Sequence, residues 1–246
     1  MIDLYFWPTP NGQKISIALE ELGLPYNVHM ININENEQFA PDFLAIAPNN
    51  RIPAIADHDG PDGSVSLFES GAILYYLANK TGALIPKDAL GQKTVMEWLM
   101  WQMGGFGPML GQAHHFNYYA KEKLPYAIKR YSAEANRLYG VLDNQLAGKD
   151  FVAGDALSIA DIAIFPWTRT HARQNVEIEN YPNVAAWRIR MIERPAVCAW
   201  FGAGGEARPQ VLRVGSGGAT APDPADGIDG CRESEVSREC LTGDTV

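Results

Sequence analysis

Signals for β-strands are confined to about the first 80 of the 246 residues, and this asymmetry constrains the fold more than any other feature of the chain. Ile2–Phe6 is apolar enough for a buried strand, and turn-forming residues occupy positions 8–12. Residues 26–33 predict a second strand. Between the two strands, four apolar residues recur at the spacing of an amphipathic helix: Ile15, Ala18, Leu19 and Leu22. Strand, helix and strand in this order indicate a βαβ unit.

The predicted sheet has two further strands. A short helix near residues 41–47 leads to a hairpin, predicted over residues 54–57 and 64–68 because the intervening turn is rich in Asp, Gly and Pro. Glu69 then opens another helix. Together these elements predict a small mixed sheet covered by helices.

After Ala89 the strand signals vanish and the periodic segments are helical. Helices are predicted from Ala89 through Trp98 and Trp101 toward Phe116, over residues 125–146, from Leu157 onward, and through Val184, Trp187 and Met191 to Arg194-Pro195. Ser158 and Asp161 have the spacing of a capping box at the start of the third helix. The predicted fold class is therefore α/β plus all-α, with a first domain over residues 1–80, a linker over 81–88 and an all-helical domain over 89–201.

The last 45 residues differ in composition from the rest. Residues 202–246 contain no aromatic side chain, and Gly, Pro, Asp and Ser dominate. Such a segment cannot bury enough apolar area to offset the conformational entropy lost on ordering. The sequence therefore predicts a disordered tail.

The charge balance and hydropathy exclude some partners. A formal net charge of −9 argues against a nucleic-acid partner, because nucleic acids favour a basic face. No apolar run approaches the roughly 20 residues that a membrane helix needs, and the N-terminus lacks a signal-peptide pattern. We therefore expect a cytoplasmic protein with no membrane partner.

Cysteine is absent from the first 197 residues. The three cysteines are Cys198, Cys231 and Cys240, and no CxxC pair exists. A disulfide scaffold or a thiolate metal site in the body of the chain is therefore excluded, and no metal site is predicted. Any thiol chemistry in residues 1–197 requires the sulfur of a ligand.

The order of the elements resembles that of the glutathione S-transferases over roughly residues 1–197, which implies a thioredoxin-like first domain. Four segments are similar to the bacterial Nu class of that family, which comprises glutathione-dependent disulfide-bond oxidoreductases. These segments are Tyr5-Phe6-Trp7-Pro8-Thr9-Pro10-Asn11-Gly12, Pro48-Asn49-Asn50-Arg51-Ile52-Pro53-Ala54-Ile55, Phe68-Glu69-Ser70-Gly71-Ala72-Ile73 and the run from Gly105 to Phe116 that contains His114-His115. After Ala196 the sequence departs from the closing segment that covers the pocket in relatives.

The resemblance implies that Thr9 and Asn11 favour the glutathione thiolate at the N-terminus of the first helix. A hydroxyl, an amide and the helix dipole can each stabilise the anion. The alternative is that Asn11 is only an N-cap of the helix. Without the family match, the capping role is the simpler interpretation.

The resemblance also implies a binding site for the glutathione backbone. Ile52-Pro53 predicts a cis peptide that lets the Ile52 backbone pair with the cysteinyl residue. Glu69 and Ser70, where a helix begins, suit the γ-glutamyl ammonium and carboxylate, while Gln38 would reach the glycyl end. Arg51 is assigned to the same site. The alternatives are a turn proline, a plain capping pair and a solvated glutamine.

Further residues are assigned less directly by the resemblance. Arg130 would reach across a homodimer to the neighbour's glutathione, or would simply face solvent on its helix. Neighbouring histidines point about 100° apart on a helix, so His114 and His115 do not form a chelating pair at i, i+4. The residues assigned to an electrophile pocket are Trp7, Phe106, Met109, His114, His115 and Tyr119.

Two functions compete at this point. The first is an enzyme that uses bound glutathione, reduced or oxidised, as co-substrate to reduce a small disulfide or to attack an electrophile. The second is a non-catalytic regulatory or assembly module with the same fold, because a fold does not determine a function.

Overall fold

A computed structural model of the chain describes residues 1–201, and four strands form its sheet. They are β1 (Ile2–Phe6), β2 (Tyr26–Met30), β3 (Ala54–Gly60) and β4 (Gly63–Phe68), in the spatial order β2-β1-β3-β4. The central strand β1 pairs in parallel with β2 and antiparallel with β3, and β3 pairs antiparallel with β4. The predicted βαβ unit and hairpin are confirmed.

Strand β2 is shorter than predicted. The expected strand over residues 26–33 ends at Met30, and the backbone turns after Ile31, whose amide still donates to the Phe6 carbonyl oxygen of β1 at 2.9 Å. Asn32 begins this turn, since its side-chain oxygen accepts a hydrogen bond from the Asn34 amide at 3.0 Å and its own amide donates to Glu37 at 2.6 Å. Asparagine side chains favour such turns because they mimic a backbone acceptor.

Three helices accompany the sheet: α1 (Pro10–Glu21), α2 (Pro41–Ile46) and α3 (Ser70–Thr81). Helix α1 presents Ile15, Ala18 and Leu19 to the core, all three with no exposed surface. It packs against α3 and also against two helices of the second half, so that the N-terminus of α1 lies where the two halves meet.

The second half is helical throughout its regular elements, as predicted. Its α-helices are α4 (Ala89–Trp101), α5 (Gly107–His114), α6 (Pro125–Leu146), α7 (Ile159–Thr168), α8 (Pro182–Ile192) and α9 (Pro195–Phe201). Two π-helical segments, Gln102–Phe106 and His115–Tyr119, lie on either side of α5. The sequence predicted one long helical region here and gave no sign of the π segments. The division into domains over residues 1–80 and 89–201 remains a prediction.

The end of the described chain departs from the expected pattern. The last predicted helix ends at Ile192 rather than Arg194, and α9 begins at Pro195. Val197 of α9 is 1% exposed and joins the main core. Arg194 makes a bidentate ion pair with Glu21 of α1 at 2.5 and 2.8 Å. Helix α9 therefore packs on α1 of the first half, whereas the predicted tail over residues 202–246 lies outside the described residues.

No helix of residues 1–201 is both long enough and apolar enough to span a membrane.

Candidate functional site

The first turn of α1 is built around Thr9. This residue is the N-cap of the helix, and its Oγ1 accepts a hydrogen bond from the Gly12 amide at 3.3 Å. Pro10 follows at the first helical position, where its missing N–H leaves no donor unsatisfied. Because the hydroxyl oxygen already accepts from the protein, its hydrogen remains able to donate to a ligand.

Gly12 is required by close packing in this turn. A Cβ atom at position 12 would lie 2.3 Å from the carbonyl oxygen of Trp7 and 2.9 Å from the ring of Phe6. No side chain other than hydrogen fits there. The glycine thus holds the start of α1 tightly against the end of β1.

Asn11 is oriented by a residue that the sequence did not single out. The indole Nε1 of Trp167 in α7 donates to Asn11 Oδ1 at 3.1 Å. With its oxygen engaged, the Asn11 side chain keeps its Nδ2 hydrogens as donors. Among residues 1–201, no hydrogen bond uses these hydrogens or the hydroxyl hydrogen of Thr9. The first turn of α1 therefore offers two side-chain donors and a helix N-terminus, which together suit an anion.

The peptide between Ile52 and Pro53 is cis, as predicted. Pro53 is buried and Ile52 is partly exposed, directly before β3 begins. The backbone of Ile52 lies just before β3, a central strand of the sheet, and belongs to no strand or helix of the described residues 1–201.

Glu69 and Ser70 form the start of α3. Glu69 is the N-cap residue and has φ 70° and ψ 114°, in a region that a non-glycine residue rarely adopts. Its side chain accepts a hydrogen bond from Asn49 Nδ2 at 3.3 Å. Unusual backbone of this kind persists where the surroundings hold it, and such positions cluster at binding sites.

A buried lysine links the two helix starts. Lys14 of α1 is 1% exposed, and its Nζ donates to Ser70 Oγ at 3.3 Å and to Gln102 Oε1 at 2.8 Å. Burial lowers the pKa of Lys14 to about 7, and the charge of Glu69 acts in the opposite direction. The helix that carries Thr9 and Asn11 is therefore joined through Lys14 to the helix start at Ser70. Sequence reasoning missed Lys14, although a lysine among apolar helix positions is a signal that could have drawn attention to it.

Gln38 and Arg51 are not tied to the other candidates by a described contact. Gln38 is 7% exposed, and its Oε1 has no hydrogen-bond partner within the described part of the chain. A buried acceptor without a partner costs about 1–3 kcal/mol, which a ligand donor would recover. Arg51 is exposed on the loop before Pro53.

One predicted pocket residue is misplaced. Phe106 has no exposed surface and lies between Trp101 and Tyr139, at centroid distances of 4.8 and 5.5 Å. It is a core residue because the π-helical segment turns its ring inward, so it cannot line a pocket. Trp7 and Met109 are partly buried.

The neighbouring histidines contact different rings. His114 stacks on Tyr119 at 4.8 Å, whereas His115 lies edge-on to Phe116 at 5.0 Å. Tyr119 is 61% exposed. No group of three or more metal-ligating side chains is found over residues 1–201.

Arg130 is exposed on α6. A hydrogen bond from Arg137, with the charges of Arg137 and Arg130, lowers the pKa of Glu134.

Cys198, on α9, is partly buried, and its thiol donates to the carbonyl oxygen of Ile192 at 3.1 Å. Cys231 and Cys240 lie outside the described residues.

Comparison with known proteins gives consistent matches over both halves. The glutathione S-transferase N-terminal domain model matches residues 2–79, and the glutathione S-transferase C-terminal domain model matches residues 106–195. The chain is 50% identical over 198 residues to the disulfide-bond oxidoreductase YfcG of Escherichia coli strain K12, with 80% of this chain and 92% of that protein covered. It is 42% identical over 210 residues to the disulfide-bond oxidoreductase YghU of the same strain, with 80% and 72% covered.

A crystal structure of a glutathione transferase family member from Pseudomonas fluorescens pf-5, with two glutathione bound, is similar to this chain. The TM-score is 0.77 at 46% sequence identity, and the match covers 80% of this chain and 90% of that chain.

Proposed function

This chain belongs to the glutathione S-transferase family, and from that premise we propose that it is a glutathione-dependent disulfide reductase that holds the glutathione thiolate at the N-terminus of α1. The names of its oxidoreductase relatives favour disulfide reduction over conjugation to electrophiles.

The single observation that best supports the proposal is the hydrogen bonding of Thr9 and Asn11. Each has its side-chain oxygen engaged by a protein donor, Gly12 and Trp167 respectively. The hydroxyl hydrogen of Thr9 and the Nδ2 hydrogens of Asn11 therefore remain to donate to a ligand, and such donors favour a thiolate over a thiol. A free thiol has a pKa of about 8.5, and two such donors with the helix dipole are sufficient to lower it by one or two units.

The reaction follows from thiol–disulfide exchange. The bound thiolate attacks one sulfur of the substrate disulfide, forming a mixed disulfide and releasing the other sulfur as a thiolate. A second glutathione thiolate attacks the glutathione sulfur of the mixed disulfide and releases the second substrate thiolate. Two glutathione molecules are oxidised to one glutathione disulfide, and one substrate disulfide is reduced to two thiols. No cysteine of the chain takes part.

The remainder of glutathione would be held by neighbouring groups. The backbone of Ile52, before Pro53, pairs with the cysteinyl residue, and the start of α3 at Glu69 and Ser70 receives the γ-glutamyl end. The Oε1 atom of Gln38, which has no partner among the described residues, would accept a hydrogen bond from the glycyl N–H of glutathione. Arg51 adds a positive charge nearby.

The substrate side of the site would be formed by the partly buried or exposed candidates that remain: Trp7, Met109, His114, His115 and Tyr119. We place Arg130 at a two-fold dimer interface, where it would reach the glutathione of the partner subunit.

Two variants test the mechanism together. Replacing Cys198, Cys231 and Cys240 by serine should leave the reductase activity unchanged, because the reacting sulfur belongs to glutathione. Asn11→Ala should lower kcat/KM ten- to hundredfold, as expected when a donor to a developing or bound anion is removed. Both are measured with a small disulfide and excess glutathione.

Asn144→Ala, on the exposed surface of α6, serves as the control and should behave as the unmodified chain. If activity were lost with the cysteines and retained in Asn11→Ala, the proposed mechanism would be wrong.

A further inference from the structure

Lys14 is a buried cation without a carboxylate partner among the described residues. Its Nζ contacts Gln102 Oε1 at 2.8 Å, Ser70 Oγ at 3.3 Å and Met103 Sδ at 3.9 Å, and all three are neutral groups. Burying an ammonium group is very unfavourable unless it is paired, so buried lysines are rare. An apolar side chain of the same length would fill this space without that penalty. The position therefore has a property that packing alone does not explain.

The cation lies directly behind the start of α3. Ser70 is the first residue of α3, a helix of 12 residues whose N-terminal amides favour an anion. Its Oγ accepts from Lys14, and its hydroxyl is directed at Met103 Sδ at 3.7 Å. A thioether is a weak acceptor. A carboxylate arriving at the helix start would take this hydrogen in its place.

The charges around Lys14 also favour an anionic ligand at the start of α3. Glu69, beside Ser70, is the charged group that acts on Lys14, and it is exposed to solvent rather than paired with it. An anionic ligand at Ser70 would place a second negative charge near the buried ammonium. In the free protein the buried ammonium group is compensated only in part, by the exposed Glu69, and such a ligand would compensate it further.

On the basis of the proposed function, we propose that Lys14 is a positioning residue for the γ-glutamyl α-carboxylate of glutathione. It balances the carboxylate charge from inside the protein and, through its hydrogen bond to Ser70 Oγ, directs the serine hydroxyl toward that carboxylate. The buried lysine therefore makes the site selective for γ-glutamyl ligands that retain a free α-carboxylate. Gln102 holds the ammonium group from the second half of the chain.

The test compares two ligands on two proteins. Glutathione and γ-aminobutyryl-cysteinyl-glycine differ only in the α-carboxylate. Their dissociation constants are measured by calorimetry on the unmodified chain and on Lys14→Met, which is apolar and of similar length. We expect Lys14→Met to weaken glutathione binding tenfold or more and to change binding of the analogue less than twofold. In the reductase assay, the KM for glutathione should rise while kcat changes little.

Lys93→Met is the matched control, since it removes an exposed lysine of α4 that pairs with Glu97. It should leave both dissociation constants unchanged. Equal weakening of both ligands in Lys14→Met would mean that Lys14 is only structural, and unchanged binding of both would mean that it plays no part; either result overturns the inference.

A second variant keeps the inference testable if Lys14→Met does not fold. Lys14→Gln removes the charge and retains a polar end group that can donate to Ser70, and it should likewise weaken glutathione more than the analogue. Equal effects on both ligands would overturn the inference. Failure of the unmodified chain to bind glutathione at all would instead overturn the proposed function.

Discussion

At the scale of single residues, the orientation of Asn11 depends on Trp167. Replacing Trp167 by Phe removes the indole N–H that engages Asn11 Oδ1 at 3.1 Å and preserves most of the aromatic volume. A hydrogen bond of this kind is worth about 1 kcal/mol. We therefore expect kcat/KM for disulfide reduction to fall about fivefold and the pKa of bound glutathione, followed by thiolate absorbance, to rise. Trp98→Phe, in α4, is the control, and an equal loss in both variants would contradict the positioning role.

The lowered pKa of Lys14 predicts that the free energy of unfolding depends on pH. Burial lowers its pKa from 10.5 to about 7, opposed by the charge of Glu69, while Ser70, Gln102 and Met103 are neutral. Between these pH values the unfolded chain binds more protons than the folded one. The free-energy cost of burying a charged Lys14 is therefore fully present below pH 7 and disappears as the pH rises toward 10.5.

Urea denaturation measures this effect. Lys14→Met should be more stable than the unmodified chain at pH 7, and the difference should shrink by about 1.4 kcal/mol per pH unit at most. A difference that does not vary between pH 7 and 9.5 would show that Lys14 keeps its ordinary pKa.

At the scale of elements, Asp161 joins α7 and α8 to the loop before them. Its carboxylate accepts hydrogen bonds from the Val152 amide, the Ser158 amide and hydroxyl, and the Trp187 indole, at 2.8, 3.0, 2.9 and 3.0 Å. The predicted capping box is confirmed, and the tertiary partners were not predicted. Burial raises the pKa of Asp161, and these hydrogen bonds act in the opposite direction.

Asp161→Asn should lower the free energy of unfolding by about 2–4 kcal/mol. Either way the amide is oriented, its NH₂ group replaces an oxygen that accepts two hydrogen bonds and so faces protein groups that also donate. Urea denaturation gives this quantity. Asp155→Asn, in an exposed position of the same loop, is the control. A loss below 0.5 kcal/mol would show that the carboxylate is not needed as an acceptor.

At the scale of the whole molecule, the proposed function requires two copies of the chain. Light scattering should give a dimer in solution, and Arg130→Ala should weaken glutathione binding about thirtyfold, as expected for a desolvated arginine–carboxylate contact. Lys129→Ala, at the exposed neighbouring position on α6, should bind normally. Normal binding by Arg130→Ala would place Arg130 outside the site.

Much of the fold was predictable because its signals are local. The bounds of β1 and of α6 coincide with the prediction, and the cap at Ser158 is where the sequence placed it, whereas the N-cap of α1 is Thr9 and not Asn11. Strand alternation, helical periodicity and caps depend on residues at most a few positions apart, so one sequence determines them. The sequence alone also determined that residues 1–197 can use no thiol of their own.

The tertiary structure decided which side chains meet across the two halves. Trp167 lies 156 positions from Asn11, and Gln102 lies 88 positions from Lys14, so no periodicity connects them. The same packing turned Phe106 into the core rather than into a pocket. Whether a buried group is a donor, an acceptor or a charge depends on which atoms surround it. Those neighbours are set only when helices far apart in the sequence pack together.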